Sequence, residues 1–220
     1  MKKTTLLLLI LLSAVPLSAQ RIHGLVSAGG TLSQIEGDEL KGFRHYGYTG
    51  GVGALTSISR NNRWGLSVET LFSQHGSYDN SGDPYSLKLT TAYVEIPLLL
   101  HYQDPYGGML LGAGLIYGRL VQQPHGKVLF NPEGLVPDTA DMTFLPNDLS
   151  VALDARFSIW KGLQFNIRWQ YSIIPIKRDW LFRQADGYET LPNGEQRTRW
   201  ITESNDCYNN VISVRLIYQF

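Results

Sequence analysis

Glu69, Glu95 and Asp154, together with Arg156, Arg168 and Arg215, fall between apolar residues in segments of alternating polarity. Three carboxylates and three guanidiniums so placed can neutralise one another inside a closed structure, form a proton or solute path, or supply a carboxylate-based active site. Because an enclosed charge must be paired, a structural network of ion pairs is the favoured reading. A second set, Ser73, His75 and Ser77, offers a nucleophile and a base for hydrolysis, although its spacing alone does not provide the required geometry. The five histidines, His23, His45, His75, His101 and His125, lack metal-ligand spacing and most read as loop or rim residues, so no metal is expected. The glycine-rich stretch 48–53 opens no helix and is not a dinucleotide fingerprint. Asp138, Asp141 and Asp148 lack calcium-loop spacing and read as solvated loop, and no cofactor is expected at all.

These groups must be held by strands. Val, Tyr, Thr and Trp are frequent and polarity alternates with period two, which predicts eight strands at residues 22–32, 47–59, 63–74, 87–102, 108–121, 148–160, 163–174 and 210–220. The connections 60–62, 103–107 and 161–162 are short, whereas 33–46, 75–86, 122–147 and 175–209 are long. Strict alternation of short and long links places all short turns at one end of an up-and-down meander. That is the layout of an eight-stranded antiparallel transmembrane barrel with periplasmic turns and extracellular loops.

A soluble lipocalin-type barrel shares the strand count, and face chemistry separates the two. One face of each strand is apolar without a break, as in Leu163, Phe165, Ile167, Trp169 and Tyr171, and the charged residues lie on the other. Trp64, Tyr102, Trp160 and Phe220 stand at the short-turn ends, where an aromatic girdle meets lipid headgroups. Apolar faces therefore point to lipid and the charges point inward. Eight strands leave room only for side chains, so a plugged interior is expected, with Gly51, Gly53, Gly112 and Gly114 making room for the arginines. Pro97 cannot donate to the ladder and predicts a bulge.

Export is the other requirement. Lys2 and Lys3, the apolar stretch 4–12 and the small-residue region 13–20 form a signal peptide over residues 1–19, leaving 20–220 as one barrel domain. The lone cysteine, Cys207, excludes an internal disulfide, and 19 basic against 19 acidic residues provide no field to attract nucleic acid. Phe130, Phe144, Trp180, Phe182, Tyr188 and Trp200 in the two longest loops serve either as a cap over the mouth or as a partner site.

The run Gly30-Thr-Leu-Ser-Gln-Ile-Glu-Gly-Asp38, followed by Gly42-Phe43, Gly47 and Gly50-Gly51, resembles the opening of the PorT-like outer-membrane β-barrel proteins of Bacteroidetes. Tyr93-Val-Glu-Ile-Pro-Leu98 resembles the central strand of that group, and the usual asparagine near Ser33 is replaced by Thr31 or Leu32. The resemblance implies an eight-stranded barrel, some of whose relatives are tied to protein secretion, and it carries no catalytic or ligand residues. Expected partners are outer-membrane lipid, the barrel-assembly machinery and an envelope or secretion protein. The leading expectation is a non-enzymatic surface or secretion-associated component. Porin-like passage and a lipid-modifying hydrolase are the alternatives.

Overall fold

Alternating polarity gives each segment one face that water rejects and one that it accepts, and the chain resolves this by closing a sheet on itself. The computed structural model describes residues 22–38, 40, 42–79, 86–106, 108–130, 143–192 and 195–220. Its strands are β1 (Ile22–Glu36), β2 (His45–Ser57), β3 (Trp64–Asp79), β4 (Ser86–Gln103), β5 (Met109–Phe130), β6 (Asn147–Trp160), β7 (Leu163–Ser172), β8 (Lys177–Thr190) and β9 (Gln196–Gln219). β1 to β7 and β9 pair antiparallel in chain order, and β1 closes on β9 from Leu25↔Gln219 to Glu36↔Tyr208. The closed eight-stranded barrel expected from the sequence is the fold observed.

The long connections differ from expectation. β3 runs on to Asp79, β5 runs on to Phe130, and most of 175–209 is a hairpin in which β8 pairs with the first half of β9, from Lys177↔Cys207 to Thr190↔Gln196. Beyond the apolar band the outward face of a strand is no longer uniformly apolar, so the period-two signal fades although the ladder continues. The expected signal segment 1–19 and parts of the expected loops, 80–85 and 131–142, lie outside the described residues.

All three short turns gather at one end. In the β6–β7 turn Gly162 adopts φ 76°, and an added Cβ would stand 2.6 Å from Gln219 O, so glycine is required there. Pro97 does not produce the expected bulge. The β3–β4 register is the same at Val68↔Leu98 and Leu71↔Glu95, and the ladder only skips the rungs between them. The register shifts of β4 lie instead between Ser86 and Leu87 and from Thr90 to Tyr93, against β5.

Outward side chains such as Val26, Val68, Leu98, Leu115, Leu153, Ile167 and Leu216 are between 41% and 56% exposed. Leaving each in water costs about 1.5–3 kcal/mol relative to burial, so a wall this continuous requires hydrocarbon around it. No helix among the described residues is long and apolar enough to cross a membrane, which leaves the strands to do so.

Candidate functional site in the barrel lumen

Inward residues of successive rungs divide the lumen into layers. Nearest the short turns is a vestibule of about 210 Å³, lined in part by His23, Leu55, Gln103, Leu110, Gln164 and Gln219. Above it lies an ionic tier. Glu69 accepts from Arg156 Nη2 and Arg168 Nη2 on Oε1, both at 2.7 Å, and from Arg215 Nη1 on Oε2 at 2.9 Å. Asp154 accepts from Arg156 Nε and Arg168 Nε at 2.9 Å and from Asn166 Nδ2 at 2.8 Å. Asn166 Oδ1 in turn receives Arg215 Nε and Nη2 at 2.9 and 2.7 Å. The three arginines are at most 2% exposed, so this network fills the lumen at mid-height.

Five of the six charges singled out in the sequence therefore meet, and Glu95 does not. On β4, Glu95 faces Leu71, the next inward residue of β3 after Glu69, and so stands one rung nearer the loop end. There Glu95 Oε1 accepts from Gln170 Nε2 at 2.7 Å and lies 3.4 Å from His75 Nε2. The His75 ring stacks on Tyr93 at 5.1 Å. Asp148, at the start of β6, accepts from Ser150 Oγ at 3.3 Å and from Asn209 Nδ2 at 3.0 Å. It is 2% exposed, which corrects its reading as solvated loop.

Three histidines are also corrected. His45, His75 and His101 are buried rather than placed on loops or rims, and His101 Nε2 contacts Ser67 Oγ at 2.7 Å. Each lies in phase with the inward polar face, His101 inside the expected strand 87–102 and His45 and His75 within two residues of expected strand ends. The side chain of His125 lies outside the described residues, as do those of Phe130, Phe182 and Trp200. Among the described residues no three His, Cys, Asp or Glu side chains converge on a metal site.

Close approach explains some of the glycines. A Cβ on Gly53 would come within 2.7 Å of Glu69 Cγ, and one on Gly112 within 2.4 Å of His101 Nδ1. Gly51 and Gly114 instead abut Leu71 and Leu99, and the glycine that makes room for Arg215 is Gly29, not singled out in the sequence.

The pair Ser73 and His75 is joined at 3.0 Å between Oγ and Nε2. Glu95 approaches that same Nε2, while His75 Nδ1 has no hydrogen-bond partner, so nothing orients the imidazole as a relay would require. Ser73, His75 and Ser77 are at most 2% exposed and face the lumen.

Above this level Ile35, Leu40, Leu89, Phe144, Ile176, Trp180 and Cys207 pack as an apolar cap. Of the loop aromatics, Phe144 and Trp180 serve this cap, whereas Tyr188 is exposed. Burial, with Asp38 nearby, pushes the Cys207 thiol well above its ordinary range.

On the outer wall, Trp64 and Tyr102 meet edge to face at 5.1 Å, and Trp160 and Phe220 are exposed beside the short turns. A second ring at the loop end escaped the sequence reading. Tyr48 stacks on Phe72 at 5.7 Å, and Tyr171 stacks on Trp169 and Tyr208 at 6.2 and 6.3 Å. The signal was available, since these aromatics continue the outward phase. A furrow of about 610 Å³ runs over Ala113 and Ala155 between Leu100, Leu153 and Trp169, and belongs to this outward apolar surface.

A family model described as "Outer membrane protein beta-barrel domain" matches residues 4–220. No curated protein sequence matches. Among solved structures, the chain is similar to Ail, the attachment invasion locus protein of Yersinia pestis, with 12% identity and TM-score 0.44, covering 90% of this chain and 98% of that one. It is similar to a major outer membrane protein from Thermus thermophilus, with 12% identity and TM-score 0.44, covering 91% and 100%. For the outer membrane protein OprG from Pseudomonas aeruginosa the identity is 13% and the TM-score 0.40, covering 90% and 95%.

Proposed function

The chain belongs to the family of outer membrane proteins with a β-barrel domain, and from that premise we propose that it is a non-enzymatic, plugged barrel of PorT-like type. It serves as a surface or secretion-associated component of the outer membrane. The observation that carries this reading is the ionic tier, in which Arg156, Arg168 and Arg215 close the lumen around Glu69 and Asp154. The apolar cap at the loop end adds a second obstruction above it. With the interior occupied, the surfaces left for work are the outer wall and the loop end, where the β8–β9 hairpin stands on the rim.

In this reading Trp64, Tyr102, Trp160 and Phe220 anchor the barrel at the inner headgroup level. From Phe220 to Tyr208, twelve residues at about 3.3 Å each and a tilt near 40° span about 30 Å, which suits the apolar band with its two aromatic rings. Residues 1–19 act as the export signal, and the assembly machinery and an envelope or secretion protein are the partners.

Two measurements test the proposal. Planar-bilayer recording of the purified barrel is expected to show no discrete conductance, and regular unitary openings would restore porin-like passage. Affinity purification from cross-linked outer membranes is expected to recover a stoichiometric envelope protein. Its loss when residues 177–205 are replaced by a short turn would place the contact on the hairpin. Recovery of the barrel alone would overturn the role in secretion.

A further inference from the structure

The charge in the lumen does not balance layer by layer. In the ionic tier three guanidiniums face two carboxylates, which leaves one positive charge. Above it stand two carboxylates, Glu95 and Asp148, with no guanidinium within ion-pair distance among the described residues. One of them offsets the surplus below, and Glu95, the nearer to the tier, is placed to do so. Asp148 is then a buried negative charge held by the neutral side chains of Ser150, Ser172 and Asn209, and a charge so enclosed requires a counter-charge.

A second observation points to the same place. Asn209 Oδ1 and His75 Nδ1 have no hydrogen-bond partner, and both residues are wholly buried at this level. Asn209 already holds Asp148 through its amide nitrogen, so its free oxygen stands beside that carboxylate. Native interiors seldom leave such atoms empty-handed, and two of them beside two carboxylates indicate an occupant. Carboxylate and amide oxygens suit a hard cation or a proton, not a soft metal.

We propose that this layer, between the arginine tier and the apolar cap, binds one exchangeable monovalent cation at Asp148 and Glu95. The ionisable groups facing it are His75 on β3, Tyr93 and Glu95 on β4, Asp148 on β6, and Arg168 and Arg215 on β7 and β9 from beneath. Proton and alkali ion are two sources of the same charge, and experiment distinguishes them.

The test uses the folded barrel in zwitterionic detergent, with the thermal midpoint read from loss of the compact electrophoretic band. In one arm, sodium chloride replaces choline chloride at constant ionic strength and pH 8. In the other, pH is lowered from about 8 to 6.5 in choline chloride, above the range in which ordinary carboxylates titrate. A rise of a few degrees in the first arm identifies an alkali ion, and a rise in the second identifies a proton. Asp148→Asn removes the leftover charge and abolishes the rise. Glu95→Gln does the same, because Asp148 then offsets the tier, so either variant suffices if the other fails to fold. A wild-type midpoint that is flat in both arms, or a rise that persists in both variants, overturns the proposal.

Discussion

Two layers of the same lumen are equally buried and compensated in different ways. At mid-height Glu69 and Asp154 share three guanidiniums through paired bonds of 2.7–2.9 Å. One rung above, Glu95 relies on Gln170 and His75, and Asp148 on Ser150 and Asn209. The lower layer is cross-linked: each arginine touches both acids, so the removal of one acid strands several charges. The upper layer is a set of local bonds, and loss of a carboxylate there removes a charge that lacked a partner. Burial alone therefore does not rank these acids; what each leaves behind when removed does.

The comparison breaks most clearly at Glu69. Glu69→Gln leaves three guanidiniums on Asp154 alone and should cost about 3–5 kcal/mol, read as a lower urea midpoint for unfolding from detergent micelles. A loss under about 1 kcal/mol would show that the lower layer is not interdependent. Next comes the packing around that acid. Gly53→Ala places a methyl 2.7 Å from both Glu69 Cγ and Val68 O, and should cost about 1–3 kcal/mol in the same assay.

Glu95→Gln supplies the contrast, because an amide can keep a bond to Gln170 while Asp148 takes over the offset of the tier. Its stability at pH 7 should stay within about 1 kcal/mol of the parent, and a penalty as large as that of Glu69→Gln would erase the distinction between the layers. The smallest effect lies above both layers, at His45 on the loop end of β2. Burial, with His75 and Lys88 nearby, lowers its pKa to about 4. The unfolded chain then binds a proton that the folded chain does not between about pH 6.5 and 4. Stability contributed by neutral His45 is complete above that window and falls as pH falls through it, by an amount on the order of 1 kcal/mol. A His45→Gln variant should show a flatter pH profile there.

How much of this was legible in the sequence follows from the same physics. Strand count, closure, facing and the meeting of Glu69 and Asp154 with the three arginines are written in period-two alternation, because a slip of one residue would put every charge on the outer wall. The height of Glu95 was not legible, since parity fixes the face of a residue and only register fixes its rung. Leu71↔Glu95 is a pairing, not a pattern. His45 and His75 were misread for a related reason. The strands outlast their apolar face, so polar residues beyond the band look like loop although the ladder still buries them. The cap was half legible: the aromatics were visible, but which of them turn inward depends on the β8–β9 hairpin.

The pairing of β1 with β9 joins strands that are almost the whole sequence apart. A cylinder whose final seam unites its most distant pieces gains little by starting early. Until that seam is sewn, the first strand keeps a naked edge and the arginines on later strands have no home. Such a polypeptide closes late and all at once, so the slow step of its folding is a stitch rather than a collapse.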